Sequence, residues 1–508
     1  MEVNLKQTSS KNKDKTIYTF IAYNDIPYNL IAEEVGEDSK AYNQELKKIK
    51  EYYEIYHSGS DFQVEGTNGD YMPSMIHYKI AGSLIDKQAR FLFSEKPLIQ
   101  VEAQTDKDRI DETDTKIIDN INKYIDNVLE ENNFEDILLK ATKDAFIGKR
   151  VAALVNFNDE DGIDLKFIPS TQFIHEFDEK NMNRLSKFVT FTTLTNARQN
   201  KDKRILKKKY MMSDDSKVIL NEIVYDGSGK LIEEVFGPAE VDLNQIPAVV
   251  FLNDGLTGDD DGESEIELLR DYESAYSKMA NADIDAERKS MNPIRYAVNM
   301  NRNSTKDLTS SPGSFWDLEQ SQDIPGSTPQ IGMLESGMNY SESLKTTLER
   351  LRQTAYDQVD VPDVSMDSMQ GAITSGKGLK AIYWSSIIRS KEKMKVWGPG
   401  LRRVVEILIE GAIGYPKSIT QYTDTPIINI AHSIIIEQRS PLPEDEEESK
   451  KMDLQEVNFN TMSRKTYMKK WHEMTDNEVD DELKQIALEM ELFENSTFHD
   501  TSLLPRLN

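Results

Sequence analysis

The spacing of apolar residues changes its period near residue 150. Before that point they recur every three or four positions, as on one face of a helix, in the segments 39–57, 76–92, 117–128 and 134–146. A short strand is predicted at 98–101, and residues 1–38 are expected to extend as an arm. From Arg150 to Val250 the period is two, which predicts strands at 151–157, 165–168, 188–194, 218–225 and 231–236. The turn Asp226–Gly229 joins the last two strands.

The second half is predicted to be mostly helical. A helix begins at Ser264, which forms a capping box with Glu267, and it runs to about Ser290. A Pro-, Gly- and Ser-rich insertion of strands and loops follows, and then a second helix up to Val361. A third helix carries apolar residues from 379 to 408, with a break or kink at Pro399. The remaining predictions are a strand at 427–436, an acidic linker at 441–448 and two helices at 463–471 and 478–493. The fold class is therefore α+β.

Composition indicates an elongated or assembled protein. The chain has 508 residues, enough for two to four lobes, yet only 38% are hydrophobic while 30% are charged. It has no cysteine, which excludes disulfides and thiolate metal sites. The N-terminus (Met1–Lys15) lacks the apolar region of a signal peptide, and no apolar run is long enough to span a bilayer.

The net charge of −28 disfavours tight binding of DNA phosphates. If nucleic acid passes near such a protein, the contact is expected to be repulsive and sliding. Acidity that serves solubility alone explains the charge equally well.

The segment Gly371–Gly378 resembles a phosphate-binding loop, G-x-x-x-x-G-K. It has Gly378 where such a loop needs Ser or Thr for Mg²⁺, and residues 365–370 do not form the required buried strand. The favoured interpretation is a flexible loop that Ser375 caps at the start of the third helix. A nucleotide-binding ATPase that uses Lys377 stays open as an alternative.

Other candidate chemistry is weak. The acidic residues around Gly262 fail the spacing of a calcium loop, and their charge is better explained by the adjacent helix start. The string His472–Asp476 lacks the second histidine of a zinc protease, and no nucleophile elbow is present. Basic clusters at 201–209 and 389–395 are expected on solvated surfaces. We predict no catalytic residues, no metal and no cofactor.

Several short motifs together resemble the portal proteins of long-tailed bacteriophages. Gly262–Ile266 followed by Asp271–Ser277 looks like the family's first stem helix. Val361–Asp363, with Thr374–Gly376 and Leu379–Lys380 after it, looks like the tunnel loop entering the long helix. Ser463–Thr466, Asp476–Asn477 and Asp480–Glu482 resemble the acidic terminal region. The resemblance covers the chain from about residue 72 onward.

The resemblance implies a ring of commonly twelve subunits at one capsid vertex. The implied regions are an N-terminal arm (1–38), a wing (39–260), stem helices (261–291 and 341–360), a clip (292–340), a tunnel loop (361–376), a long kinked helix returning to the wing (377–444) and a crown (445–508). The DNA-facing residues of the tunnel loop would be Val364, Ser365, Met366, Asp367, Ser368, Met369 and Gln370. The docking residues of the clip would be Asn301, Arg302, Phe315, Trp316 and Asp317.

The same resemblance implies the partners and the location. The ring would pass double-stranded DNA during packaging and ejection, bind the terminase motor and later the head–tail adaptor, and contact the major capsid and scaffolding proteins. It would assemble in the host cytoplasm, without a membrane, and end in the virion. A non-ring helical scaffold or adaptor remains the second alternative to this structural, non-enzymatic role.

Overall fold

The computed structural model describes residues 26–63, 72–104, 112–158, 162–194, 204–213, 215, 217–255, 261–291, 294–300, 328, 330–334, 339–364, 376–423, 425–428, 430–439, 441–442, 446–472, 479 and 482–489. Of these described residues, 53% are in helices and 24% are in strands, which confirms the α+β class.

Eleven helices have defined bounds within these residues. They are α1 (Tyr28–Val35), α2 (Ser39–Ser58), α3 (Ile80–Phe93), α4 (Glu112–Glu131), α5 (Phe134–Gly148), α6 (Glu265–Met291), α7 (Ser341–Gln358), α8 (Gly376–Ile382), α9 (Trp384–Gly414), α10 (Glu446–Asn458) and α11 (Arg464–His472).

The strands form four antiparallel sheets. They are β1 (Leu98–Ala103), β2 (Arg150–Asn158), β3 (Gly162–Pro169), β4 (Phe173–Asp178), β5 (Asn181–Thr193), β6 (Arg204–Met212), β7 (Val218–Asp226), β8 (Leu231–Val241), β9 (Ala248–Leu252), β10 (Ile294–Val298), β11 (Gln330–Leu334) and β12 (His432–Glu437). Their orders are β1-β12, β10-β11, β3-β2-β9 and β4-β5-β6-β7-β8.

The chain divides into two compact units. The larger unit holds residues 1–363 and 385–441, and the smaller holds 364–384 and 442–508. In the smaller unit, α10 and α11 are joined by polar contacts: the indole Nε1 of Trp471 donates to Asp453 at 2.7 Å, and Lys470 Nζ lies 2.8 Å from the same carboxylate.

The main core of the larger unit forms where α9 crosses the three-stranded sheet. The indole of Trp397, which is 1% exposed, stacks on Phe251 of β9 with ring centroids 4.6 Å apart. A Cβ on Gly400 would collide with the Phe251 ring, so only glycine lets the helix approach β9 this closely. The burial of these large side chains fixes α9 against the sheet.

The five-stranded sheet has a separate apolar cluster on each side. One cluster includes Phe188 and Tyr210, and the other includes Phe191 and Ile205, against which Leu30 of α1 packs. The hairpin between β7 and β8 closes as predicted: Asp226 N donates to Lys230 O at 2.9 Å, and Gly229 adopts a φ of +83°. Strand β8 forms one edge of this sheet.

Several sequence predictions are wrong at the level of secondary structure. Residues 28–35 form a helix rather than an extended arm, because Leu30 packs in an apolar cluster with residues of the five-stranded sheet, which is distant in sequence. Helix α3 begins at Ile80 rather than near Ile76. Strands β4, β6 and β9 have no counterpart in the prediction, and α10 begins at Glu446, inside the expected acidic linker.

The third long helix is interrupted at a different place from the predicted one. A turn at Tyr383 separates α8 from α9, whereas α9 continues from Trp384 through Pro399 to Gly414. Pro399 lies on the exposed side of the helix, where water can bond the carbonyl that proline leaves without its usual donor. A break at residues 398–400 is therefore wrong, and a kink there stays a prediction.

Candidate functional site

The feature that distinguishes this fold is a long helical excursion from the α+β body. Helix α6 has 27 residues and α7 has 18, which correspond to lengths of roughly 40 Å and 27 Å. Between them, β10 and β11 pair antiparallel, with Ile294 opposite Leu334 and Val298 opposite Gln330. The chain thus leaves on one helix, turns through a strand pair and returns on another helix.

A buried ion-pair network, the stem-base network, holds the start of this excursion. Glu265, the first residue of α6, is 1% exposed. Arg389 of α9 donates through Nη2 to both of its carboxylate oxygens, at 3.0 and 2.8 Å, and Lys393 Nζ lies 2.7 Å from Oε1. Two cations one helical turn apart on α9 therefore hold one carboxylate between them.

The same two cations also contact the end of the excursion and the loop after β9. Arg389 Nη1 donates to Asp360, two residues after α7, at 3.3 Å. Lys393 Nζ donates to Asn253 at 2.7 Å and to the carboxylate of Asp254. Asp254 and Asp360 both have a positive φ, 51° and 53°. The network therefore joins both ends of the excursion to α9.

Electrostatics of the network favour the ionised form of Glu265. Burial by itself would raise the pKa of this carboxyl, but the charges of Lys393 and Arg389 and their hydrogen bonds lower the pKa to about 2. Burial acts to lower the pKa of Arg389, and Glu265 overrides it, so that the pKa is raised. The group is therefore a charged structural joint at neutral pH.

The start of α6 is capped, but not by the predicted capping box. The Ser264 hydroxyl accepts from Ile266 N at 3.2 Å and donates to Ile147 O at 2.7 Å. Glu267 accepts a hydrogen bond from the hydroxyl of Tyr52 at 3.1 Å instead of serving the cap. Ser264 therefore caps the N-terminus of α6 and also attaches it to α5.

A second set of contacts, the α6 ladder, holds the extended segment 72–79 along α6. Its members are polar side chains every four residues on one face of the helix. Asp285 accepts from Ser74 N at 2.9 Å, Asn281 accepts from Ile76 N at 2.8 Å and donates to Ile76 O at 2.7 Å, Ser277 accepts from Tyr78 N at 3.3 Å, and Glu273 accepts from Ala81 N at 2.6 Å.

The α6 ladder works because two repeats nearly coincide. Four residues of helix rise about 6.0 Å, and two residues of extended chain rise about 6.6 Å. The two segments run in opposite directions. A side chain four residues earlier on α6 therefore meets the N–H group two residues later in the segment. At the last step the spacing changes to three residues, because the helix α3 begins at Ile80. The α6 side chains thus replace a neighbouring strand.

Most of the predicted site residues lie outside the residues that the structure describes. This holds for Ser365, Met366, Asp367, Ser368, Met369 and Gln370 of the tunnel loop and for Asn301, Arg302, Phe315, Trp316 and Asp317 of the clip. Val364 is described and is half-buried. The DNA-facing and docking roles of all of these residues stay predictions.

The resemblance to a phosphate-binding loop gains no support from the described part of the segment. Residues 359–364 contain no strand, and helix α8 begins at Gly376. Residues 371–375 lie outside the described residues. Among the described residues, no group of three or more His, Asp or Glu is placed to hold a metal ion, and no helix has the length and apolar content to cross a membrane.

The prediction that both basic clusters lie on solvated surfaces is wrong for one lysine in each cluster, Lys207 and Lys393. In the first, Lys207 is 2% exposed on β6 and its Nζ lies 2.6 Å from Glu34 of α1. In the second, Lys393 is 5% exposed. The sequence pattern could have placed both lysines on buried faces, because Lys207 shares a strand face with Ile205 and Lys393 lies one turn before Trp397 on α9. The pattern could not identify their acidic partners, which are far away in sequence.

The site defined by these contacts is a structural joint that holds the start of α6 and the residue after the end of α7 against α9. Residues 35–492 match the family described as "Phage portal protein, SPP1 Gp6-like". The match covers most of the chain, which therefore belongs to this family of phage portal proteins, a structural family at the capsid vertex. A comparison with curated protein sequences gives no significant match.

Proposed function

We propose that the chain forms a closed ring that serves as the DNA channel of a tailed-phage or prophage capsid, for packaging and later for ejection. The observation that carries this proposal is the family match over residues 35–492, which includes the whole excursion. Helix α7 is exposed along most of its length, as expected for a helix whose other faces meet neighbours or the channel.

The regions of the ring follow the boundaries expected from the sequence. Helices α6 and α7 would form the stem, the segment 292–340 the clip, residues 39–260 the wing and residues 445–508 the crown. The tunnel loop, 361–376, leaves the end of α7 directly after Asp360, which the stem-base network holds. A movement of the stem would therefore reach the start of the tunnel loop through Arg389.

The charge of the chain is consistent with a channel through which DNA slides. A net charge of −28 per subunit keeps the protein from binding phosphates tightly. The described lysines with the deepest burial are neutralised by carboxylates within the subunit. Docking of the terminase motor and the head–tail adaptor is assigned to the clip, and contacts with capsid and scaffolding proteins to the outer regions.

The first experiment is a native mass measurement with negative-stain imaging of the purified protein. Twelve copies of 58.2 kDa give a ring of roughly 700 kDa. A ring with a central hole is expected. A monomer that persists when the protein is concentrated contradicts the proposal and favours the scaffold alternative.

The tunnel loop is tested by deletion of Ser365–Gln370. We expect the ring to form, because the described contacts of the stem-base network do not involve these residues, and DNA packaging or retention to fall. The matched control is a substitution of the six residues by Gly and Ser at unchanged length. Packaging at the wild-type level by the deletion variant would contradict the assignment of the loop to the channel.

The ATPase alternative is tested on the same preparation. Purified protein is expected to show no ATP turnover above the level of Lys377→Ala. Turnover that is lost in this variant would instead assign a nucleotide site to the loop.

A further inference from the structure

The edge strand β8 exposes an unusual amount of apolar surface. Residues 231–236 are all exposed, and four of them are apolar: Leu231 (53%), Ile232 (49%), Val235 (54%) and Phe236 (40%). The strand pairs with β7 on one side, and its other edge has no partner strand among the described residues. We call residues 231–236 the β8 patch. An apolar sheet edge of this kind promotes aggregation unless another element covers it.

Two apolar residues of the patch are not needed for its pairing with β7. The register against β7 shifts twice within the patch, and each shift leaves one residue without a counterpart, Ile232 and Val235. Such bulges interrupt the regular backbone pairing of an edge strand. An element that covers β8 therefore has to contact the side chains of the patch. The two bulged residues can also be substituted without removing a cross-strand pair.

The N-terminal part of the chain contains a run of residues that needs such a cover. Residues 16–23 read Thr-Ile-Tyr-Thr-Phe-Ile-Ala-Tyr, and seven of these eight are β-branched or aromatic. None of them is charged, in a chain in which 30% of the residues are charged. A run of this composition has high β-propensity and is prone to aggregate when it is exposed. We call residues 16–23, which lie outside the described residues, the N-terminal segment.

The described part of the chain starts next to the β7–β8 turn. The side-chain amide of Asn29 donates to the carbonyl of Gly229, two residues before the patch, at 2.9 Å. Ile26, the first described residue, packs on the apolar cluster that includes Tyr225 of β7. Tyr225 lies opposite Leu231, so these two side chains share a face of the sheet. The chain therefore enters the described structure at the end of the sheet where the patch begins.

The lengths and directions of the two elements agree. Only residues 24 and 25 separate the N-terminal segment from Ile26. When extended, the segment spans roughly 26 Å and the patch roughly 20 Å. Since the C-terminal end of the segment lies near the start of β8, the segment would run antiparallel to this strand. The short connection gives it an effective concentration of about millimolar, which favours docking on its own subunit over docking on another chain.

We infer that the N-terminal segment of each subunit docks on the β8 patch of the same subunit. Its apolar side chains cover Ile232 and Val235 and the apolar residues beside them. One contact then protects both an exposed sheet edge and an aggregation-prone run of residues. The docking takes place within a single chain and does not depend on the proposed ring.

Limited proteolysis of the purified full chain tests the docking. Chymotrypsin cleaves after Tyr18, Phe20 and Tyr23, inside the N-terminal segment, whereas trypsin cleaves after Lys6, ten residues before it. Mass spectrometry identifies each cut by the short piece that is removed. The rate of cleavage within the segment tracks the population of the undocked form, and the rate after Lys6 serves as the internal control.

The patch variant for this assay is Ile232→Ser/Val235→Ser. The matched control is Ile413→Ser/Ile428→Ser, which makes the same kind of change at other exposed positions of the larger unit (47% and 55% exposed). We expect chymotrypsin to cleave the segment about tenfold faster in the patch variant than in the wild type or the control. Trypsin should cleave after Lys6 equally fast in all three. Equal chymotryptic rates in the patch variant and the wild type overturn the docking.

Engineered disulfides provide the second readout and show which chain carries the segment. The protein has no cysteine, so two introduced cysteines react only with each other. One is Val235→Cys, and the other is placed in turn at each of residues 17 to 22. We expect bonds at alternate positions of the segment, each within one chain of 58.2 kDa. With Ile428→Cys in place of Val235→Cys, no bond should form.

Other occupants of the patch would give different results. Linked pairs of chains, roughly 116 kDa after denaturation (twice 58.2 kDa), would show that the segment of a neighbouring subunit occupies the patch. Protection of the segment only within assembled capsids would assign it to a capsid protein. Either result overturns docking within one chain, as does the absence of a bond at every position. None of these results bears on whether the wild type forms a ring, so the failure of the docking and the failure of the proposed function are distinguishable.

Discussion

Replacing Glu265 by glutamine should strongly destabilise the larger unit. The side chain is 1% exposed, and its carboxylate is the shared partner of Arg389 and Lys393, whose side chains are 17% and 6% exposed. Glutamine keeps the size of the side chain but removes its charge. The two cations would then remain buried, with only the partly exposed Asp254 and Asp360 as counter-charges.

Two routes give the same magnitude for this loss. Removal of one partner from a buried ion pair costs about 3–5 kcal/mol, because the other charge remains desolvated. The fall of the Glu265 pKa from 4.5 to about 2 corresponds to about 3 kcal/mol of stabilisation at neutral pH. A loss of 1 kcal/mol lowers Tm by about 2–4 °C in domains of 150–250 residues and by less in larger units. We therefore expect Tm to fall by roughly 3–6 °C.

The assay is thermal unfolding followed by circular dichroism at one protein concentration, because subunit association shifts the apparent stability. The matched control is Glu392→Gln, which removes a carboxylate from an exposed position of α9 close to the network. The control should unfold at the wild-type temperature. Equal midpoints for Glu265→Gln and Glu392→Gln would refute the view that the network stabilises the stem base.

The pH dependence follows from the direction of the shift. The folded-state pKa of Glu265, about 2, lies below its ordinary value of 4.5. The contribution of its charge is therefore complete above about pH 5 and is lost as the pH falls toward 2. The difference in Tm between the wild type and Glu265→Gln should be constant near neutral pH and should shrink within that acidic window.

Three other substitutions test separate contacts. Asn281→Ala should raise the amide exchange rate of Ile76, because the amide of Asn281 accepts from its N–H and donates to its carbonyl and a lost buried bond costs about 1–3 kcal/mol. Lys207→Met should release α1 from the sheet, measured as faster proteolysis after residue 35, since Glu34 would be left with Lys209 alone. Gly400→Ala should lower the free energy of unfolding by about 1–3 kcal/mol, because its Cβ would overlap the buried Phe251 ring.

Each of these three has a nearby control. Glu287→Ala lies at an exposed position of α6, and Lys230→Met at an exposed position next to β8; both should behave as the wild type. Gly398→Ala places a Cβ in ordinary contact with Met394 and should be neutral or slightly stabilising through helix propensity. If Gly398→Ala and Gly400→Ala had the same effect, close packing against β9 would not be the reason for glycine at residue 400.

Local patterns were sufficient where a segment's partners are near in sequence or where one face is purely apolar. The helix at residues 39–58 was predicted within one residue of its observed end. The β7–β8 turn was predicted from its glycines, and Asp226 additionally accepts from Ser228 N and Lys230 N. These elements contain in their own sequence the signals that define them.

The candidate site could not be predicted in the same way, because its two halves are more than one hundred residues apart. Lys393 and Glu265 each look like ordinary surface charges, and only the fold brings Nζ within 2.7 Å of Oε1. A helix-face pattern can show that a lysine is on the buried side, as with Lys393 beside Trp397. It cannot identify the carboxylate that makes this burial tolerable. Strand β6 was missed for the same reason, since four of its nine residues are basic.

The use of charges at the stem base has a structural consequence that an apolar joint would lack. Apolar side chains repack with many relative positions of two helices, whereas a buried contact made of charge-assisted hydrogen bonds tolerates a narrower range of geometries. Arg389 makes such a contact with the first residue of α6 and another contact with Asp360 after α7. Buried ion pairs contribute little net stability relative to well-packed apolar residues. The stem-base network is therefore better explained by the need to fix the direction of α6 and α7 on α9, which identical subunits must share if the proposed ring is to close.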